Sequence, residues 1–336
     1  MAGRSLSGGW VVPRWTSNAT LEELGDFVPQ PLKPVLRRTR DLALGTWPPS
    51  LAEWRLARTP LHPRTFNDKV RYRIAYDRSP HLTTFADKVA VRDYVADRVG
   101  AGYLTPQYGV HRSSHEIDWA SLPREYVVKA SHGSGAVVLV SDHADTDARL
   151  PARTRWAGWD RFAVRPEHAS RTLLAPLVDK WMTLNYEFGP GRLPEWAYRD
   201  VPPRIITERL LVGPGGEAPV DIKFFVFDGT CRFLYIGAGD DEGYHRNLFT
   251  PTGVPILVDY GYPRATVDPP LPARLAEFVS VAEELGRGVD FVRVDLYDLA
   301  GRVVFGELTN YPAAGVDDFR PARFDEELGA HWNLVV

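Results

Sequence analysis

Apolar and β-branched residues alternate with polar ones along Phe291-Val-Arg-Val-Asp-Leu-Tyr-Asp298, and again along Arg302-Val-Val-Phe-Gly-Glu-Leu-Thr-Asn310. Leu299-Ala-Gly301 lies between them, so the pattern predicts a β-hairpin with a three-residue loop and glycine in the left-handed position. With Asp298 facing Arg302, Asp295 falls across from Phe305 and Arg293 across from Glu307, all four side chains on one face. Two carboxylates and a guanidinium then stand on a surface otherwise built from Val, Phe and Leu. A plain solvated hairpin face also carries charges, so the rest of the chain must choose between the readings.

Upstream, Glu125-Tyr-Val-Val-Lys-Ala-Ser131 reads as a strand that runs into His132-Gly-Ser-Gly135 and leaves through Ala136-Val-Val-Leu-Val140. Such a hairpin can bring backbone N–H groups close to an anion. Arg204 to Val212 reads as a buried strand. Asp221–Gly229 and Cys231–Gly237 form a hairpin with Asp228-Gly229 as its turn. Thr84 to Gly100 is a single amphipathic helix with Val91, Val95 and Val99 at i+4 spacing and Asp87-Lys88 in its first turn. A second helix is expected from Pro272 to Leu285. Prolines make residues 60–80 a turn-rich lead-in, and short helices are expected from Thr20 and over Val35–Leu44. Helices alternating with mainly antiparallel hairpins give an α+β protein of two lobes.

Composition narrows the function classes. At 336 residues with 44% hydrophobic and 25% charged residues, this is an ordinary globular chain with room for more than one core. A net charge of -3, with arginines interleaved among acids, argues against nucleic acid. The single cysteine, Cys231, excludes an intrachain disulfide and a Cys-based zinc site. Without a long apolar run or a signal-like segment, the expectation is a cytoplasmic protein with no integral membrane contact. Only six lysines occur, so each invites a question.

Taken singly, the candidates have bland readings. Lys129 is a solvent-facing strand lysine, or one directed at phosphate by the glycine loop that follows, which lacks P-loop spacing. Asp87 is ordinary helix-dipole complementarity. Glu208 interrupts an apolar strand and must be paired or hydrogen-bonded. Asp221 and Lys223 share a face and can be a surface ion pair. His132 and His245 lack metal-ligand spacing, and Ser134 lies outside a nucleophile elbow.

The order of the pieces is more specific. Thr65-Phe-Asn-Asp-Lys69, Phe85-Ala-Asp-Lys-x3-Arg92, Val128-Lys-x-Ser-His-x-Ser-Gly135, Asp221-Ile-Lys-Phe-Phe-x-Phe-Asp-Gly229 and Phe291-Val-Arg-Val-Asp295 with Phe305-Gly-Glu-Leu-Thr309 together resemble the TupA-like ATP-grasp family. The resemblance covers roughly residue 55 onward. It implies an ATP-grasp fold, two α+β lobes clamping ATP, and the chain pattern itself puts a helical N-terminal extension over residues 1–64 ahead of them. Residues 65–206 would be the lead-in and small lobe, and 207–336 the C-terminal lobe with the metal site.

The resemblance also implies roles. Lys88 and Lys129 would bind ATP phosphates under the loop His132, Gly133, Ser134 and Gly135. Glu208, Arg209, Leu210 and Leu211 would form the hinge beside adenine. Asp221, with Lys223 beside it, would hold the ribose hydroxyls, and Arg246 would be a further phosphate ligand. Asp295 and Glu307 match acidic Mg²⁺ positions, and Arg293 matches an arginine near the transferred phosphate. Many ATP-grasp ligases carry an asparagine two residues beyond the metal glutamate; here Thr309 stands there. Asn310 would need a bulge to replace that ligand, and the alternative is an altered acceptor pocket. The Asp240, Asp241 and Glu242 cluster stands where an arginine is usual.

The function so implied is ATP-dependent ligation of a small-molecule carboxylate to an amine through an acyl phosphate, serving a cell-surface polymer or a peptide-like metabolite. ATP and Mg²⁺ are the cofactors, and a homodimer is the assembly allowed for. A phosphotransferase of the same fold and a non-catalytic nucleotide-binding module of a polysaccharide-assembly complex are the rivals.

Overall fold

A computed structural model describes residues 62–154, 157–187, 194–213, 215–240 and 243–334. The expected helices at Thr20 and Val35–Leu44, nearly all of the expected extension, and Asp241 and Glu242 lie outside these residues. The elements run α1 (Phe66–Tyr76), α2 (Pro80–Ala86), α3 (Ala90–Val99), β1 (Gln107–His111), β2 (Tyr126–Ala130), β3 (Val137–Val140), β4 (Arg161–Val164), α4 (Arg171–Met182) and β5 (Ile205–Arg209). There follow β6 (Val220–Phe227), β7 (Thr230–Asp240), β8 (Gly243–Phe249), β9 (Pro255–Ile256), β10 (Asp259–Tyr260), α5 (Leu275–Gly286), β11 (Val292–Leu299), β12 (Arg302–Thr309), β13 (Phe319–Arg320) and α6 (Arg323–Ala330).

Two sheets carry the α+β architecture. One has five strands in the order β1-β5-β2-β3-β4, antiparallel except for the β3–β4 pair. The other has six antiparallel strands in the order β12-β11-β6-β7-β8-β9. Strand alternation gives the six-stranded sheet two buried faces. Phe224, Val226, Val292 and Val294 pack with Val91 and Val95 of α3 and Phe278 and Leu285 of α5. Phe225, Phe227 and Phe291 face the other way, around the fully buried Phe66 of α1 and Trp332. The five-stranded sheet has a separate core, in which Val128, Val138 and Val140 meet Leu174, Leu177 and Trp181 of α4. Thus α1 and α3 pack against the six-stranded sheet although they precede the other in sequence. The expected division between residues 206 and 207 runs through β5.

Three expectations are corrected. The turn-rich lead-in contains α1, begun by Thr65, whose hydroxyl accepts the Asp68 N–H at 3.1 Å. This N-cap outweighs the flanking prolines. The single helix over 84–100 is two, α2 and α3, broken at Asp87–Val89, where Asp87 Oδ1 accepts the Val89 N–H at 2.9 Å instead of leaving it to a helix.

The third correction concerns the β11–β12 hairpin. Its loop has two residues, Ala300 and Gly301, at φ 52° and 84°, as a type I′ turn requires. Leu299 therefore faces Arg302, one step off the expected register, and Phe305 faces Leu296 in the core. A bulge at Gly306 adds a second step, so Asp295 faces Glu307 and Arg293 faces Thr309. Two single steps restore the original face, so Arg293, Asp295 and Glu307 still share one side while Phe305 does not. A Cβ on Gly306 would lie 2.9 Å from the Asp295 carbonyl oxygen, which accounts for the glycine.

Candidate functional site

A cleft of about 400 Å³ lies between the sheets. Lys129, Ser134 and Glu208 line it from the five-stranded sheet and its glycine loop, Arg293 and residues 305–309 from the six-stranded sheet, and Phe85, Lys88, Val91 and Arg92 from the helical side. Its position follows from the helix break. At the break, Lys88 N–H bonds the Ser131 carbonyl at 3.2 Å, Asp87 takes the Arg204 guanidinium, and Lys88 Nζ donates to the Gly133 carbonyl. Burial pulls the Lys88 ammonium down to about 8; Glu307 and Asp87 oppose the shift, while Lys129 and Arg161 add to it.

The glycine loop is built by close packing. At Gly135, φ is 91° and a Cβ would meet the Trp159 carbonyl oxygen at 2.1 Å. The Trp159 ring also occupies the space over Gly133 and meets His132 edge-on, with ring centroids 5.2 Å apart. His132 itself is buried, its Nε2 3.2 Å from the Trp181 carbonyl, so its side chain serves the core. Of this loop, Ser134 lines the cleft. Lys129 Nζ lies 2.5 Å from Glu208 Oε1, across the β2–β5 ladder, which supplies the partner that a carboxylate in an apolar strand needs. Arg209, Leu210 and Leu211 lead away from Glu208 and are not among the lining residues; the Arg209 N–H bonds the Pro106 carbonyl at 3.0 Å.

The opposite wall is a charge network. Arg293 forks onto Asp295 at 2.7 and 2.6 Å and reaches Glu307 at 3.3 Å. Lys223 pairs with Asp221 and lies 3.5 Å from Asp295. Thr309 Oγ1 donates to Glu307 at 3.2 Å. The Asp295 side chain is 5% exposed and that of Glu307 44%, so Glu307 presents the network to the cleft. Burial lifts the Asp295 carboxyl to about 6 against Arg293 and Lys223. At Glu307 burial works the same way, but Arg293, Lys88, Lys223 and Arg161 prevail and hold it at about 2.

The described residues contain no cluster of three or more His, Cys, Asp or Glu placed to hold a metal. Of the two hard carboxylates facing each other across the ladder, Glu307 is ionised and open to the cleft, while both oxygens of Asp295 are taken by the Arg293 fork. That suits Mg²⁺, which keeps waters and takes phosphate oxygens beside one or two carboxylates. Asn310 is not brought to this pair. Its buried Nδ2 donates to the Leu82 carbonyl at 2.7 Å, because the bulge lies before Glu307 and leaves Thr309 and Asn310 on opposite faces. Arg246 is not in the cleft either. It bonds Asp317 at 2.7 Å and the Tyr260 carbonyl at 3.0 Å, within 6 Å of the rings of Tyr235, Tyr244, Tyr260 and Tyr262.

Several lining residues had no role in the sequence reading. Arg92, quoted within the family motif four positions after Lys88 but given no role, donates to the Thr105 carbonyl at 2.9 Å. Tyr186, Glu195, Tyr198 and Tyr311 line the cleft from segments without periodicity. Beside them, Ala313 and Ala314 sit at φ 48° and 49°. Left-handed alanine costs about 1 kcal/mol or more. The turn is held by Ala314 N–H to Tyr311 and Val316 N–H to Ala313, both 3.0 Å, and by Arg71 on the Gly315 carbonyl.

Residues 68–333 match the sequence model of a family described as TupA-like ATPgrasp. No curated protein matches the chain. Among solved structures, the ATP-grasp ligase PsnB complexed with a minimal precursor is 11% identical, with a TM-score of 0.35, over 69% of this chain and 55% of that one. The chain thus spans little more than half of that protein. The D-alanine–D-alanine ligase from Bacillus anthracis complexed with ATP is 13% identical, with a TM-score of 0.39, over 74% of this chain and 62% of that one. The D-cycloserine synthetase DcsG is 16% identical, with a TM-score of 0.35, over 75% and 71%.

Proposed function

Since this chain belongs to the TupA-like ATP-grasp family, we propose that it is an ATP-dependent ligase joining a small-molecule carboxylate to an amine. The observation that carries the reading is the convergence of Lys88, Lys129, Arg293 and Glu307 on one cleft. Two ammonium groups and a guanidinium suit a chain of phosphates, and an ionised carboxylate among them suits the cation that accompanies phosphates.

In this reading a carboxylate oxygen of the substrate attacks the γ-phosphorus, and the bond to the ADP oxygen breaks. An amine nitrogen then attacks the acyl carbon and loses a proton. The tetrahedral species collapses to the amide as the carbon–oxygen bond to phosphate breaks. The protein contributes position and charge rather than a covalent nucleophile. Lys129 keeps donors for phosphate while one meets Glu208. Lys88, held near 8, gains charge stabilisation when phosphate arrives. Arg293 is aligned in advance by its fork on Asp295, so no reorganisation is needed as charge develops. Glu307 would hold Mg²⁺, which neutralises phosphate charge when bound, and Asp295 would join it only by giving up its fork on Arg293. Of the segment expected to lie beside adenine, only Glu208 lines the cleft, so it alone keeps that proposed place. No role is assigned to Asp221 or Arg246, whose charges are already engaged.

No helix among the described residues is long and apolar enough to cross a membrane. The test is ADP release measured across carboxylate and amine panels. Release that needs both partners, with an amide in the product, supports the ligase; a stable phosphorylated product without an amine points to a phosphotransferase. Wild-type turnover in a combined Lys129→Ala, Glu307→Gln protein would overturn the site assignment.

A further inference from the structure

One cation beside the cleft takes no part in the proposed ligation. Arg161 opens β4, the edge strand of the five-stranded sheet, and is exposed. Strand pairing fixes the face it stands on. Lys129 is opposite Val137 across the β2–β3 ladder, and Val137 is opposite Arg161 across the β3–β4 ladder. Residues paired across a ladder share a face, so Arg161 lies on the same side of the sheet as Lys129. The other side is the core, where Val128, Val138 and Val164 are buried against α4. Two strand spacings, about 10 Å, separate the backbones of Lys129 and Arg161, with Val137 between them. Two long side chains can meet over a valine at that distance.

The glycine loop fixes the level along the sheet. It joins β2 to β3, and β4 is tied to it: the Val137 N–H bonds the Asp160 carbonyl at 3.1 Å, and the Trp159 carbonyl fills the space a Cβ on Gly135 would need. Arg161 therefore emerges beside the loop whose Ser134 lines the cleft.

Its charge is also uncommitted. The cations that line the cleft are engaged, Lys88 by the Gly133 carbonyl, Arg92 by the Thr105 carbonyl, Lys129 by Glu208 and Arg293 by Asp295. The Arg161 side chain has no hydrogen bond or ion pair among the described residues. The adjacent Asp160 carboxylate turns instead to Gly158, whose N–H it accepts at 2.8 Å. Even so, Arg161 is felt across the cleft, being among the charges that lower the pKa of Lys88 and of Glu307 on the facing sheet.

We propose that Arg161 is a further anion-binding residue of this cleft, its guanidinium turning over Val137 onto the distal phosphates of a bound nucleoside triphosphate, opposite Lys129. Naming the anion a nucleotide phosphate rests on the proposed ligase; the placement of the guanidinium does not. A planar fork of five donors suits phosphate oxygens, and an exposed, unpaired side chain turns inward without breaking a contact.

Calorimetric titration of the full chain with Mg²⁺ and either AMP-PNP, a non-hydrolysable ATP analogue, or AMP tests the assignment. Arg161→Gln weakens AMP-PNP by about tenfold, as loss of a charged hydrogen-bond donor should, and leaves AMP within about twofold. Arg161→Lys keeps the charge without the fork and falls between the wild type and Arg161→Gln. The unfolding midpoint of the free protein is unchanged in both variants, since an exposed side chain without a partner is removed. Unchanged AMP-PNP affinity in Arg161→Gln, an equal loss for AMP and AMP-PNP, or no nucleotide binding by the wild type overturns the assignment. AMP-PNP binding that depends on Arg161 in a protein forming no amide retains the residue and removes the ligase. Amide formation with a nucleotide affinity unaltered by Arg161→Gln does the reverse.

Discussion

On the five-stranded sheet, charge at the cleft is handled as a pair: Lys129 meets Glu208, and the strand around them is apolar. The six-stranded sheet instead gathers Asp221, Lys223, Arg293, Asp295 and Glu307 into one network, most of it buried. A lone pair at a cleft edge can exchange one partner for a ligand at little cost. A network surrendering one member leaves the others desolvated and unmatched. The six-stranded sheet therefore holds fixed machinery, while the five-stranded sheet offers a lysine that can be diverted to phosphate.

The largest effect is expected from Arg293→Met. Asp295 would lose its fork while remaining buried, so denaturant unfolding should show a loss of about 3–5 kcal/mol, the usual cost of breaking a buried pair from one side. Turnover should fall by at least about 10²-fold, as when a preorganised donor is removed. Lys129→Ala sharpens the contrast: a similar loss of turnover with a stability change of only about 1–2 kcal/mol, since the lysine is partly exposed and Glu208 sits near the cleft. A stability loss equal to that of Arg293→Met would erase the distinction between the two sheets.

A third effect is read in pH. The folded-state pKa of Lys88 is lowered from 10.5 to about 8. Between those values the unfolded chain binds the extra proton, so this group's contribution to stability rises with pH over that window. Nucleotide affinity runs the other way, falling above about pH 8 as the Lys88 charge is lost. Calorimetric titration of an ATP analogue should show the decline in the wild type and its absence in Lys88→Arg, whose charge persists. The smallest effect is expected at Asn310→Ala, about 1 kcal/mol from its bond to Leu82. Its Mg²⁺ dependence of turnover should match the wild type; a raised Mg²⁺ requirement would return Asn310 to the metal site.

Much of the site was legible in the chain because it depends on short-range facts. Strand alternation put Arg293 and Asp295 on one face, and residue type marked Lys129, Glu208 and Glu307 as charges in apolar surroundings, while Lys88 stood out only through the family resemblance. The order of those motifs carried the family. Where the side chains of His132 and Arg246 lie was not legible, because nothing local says whether a side chain turns to the cleft or the core; Trp181 decides the first and a ring of tyrosines with Asp317 the second.

The hairpin shows where periodicity stops. The chain alone established two strands and the sharing of a face by Arg293 and Asp295, since these follow from a repeat of two, while Glu307 reached that face through a loop shift and a bulge that cancel. Whether the loop had two residues or three, and whether Gly306 bulged, depended on β11 also pairing with β6 and on Phe305 finding a core on the far side. The same holds for the break that frees Lys88, fixed by Arg204 and Ser131, and for the cleft lining, where Tyr198 and Tyr311 come from segments more than a hundred residues apart. Contacts so distant in sequence leave no periodic trace; only the folded packing brings them to one surface.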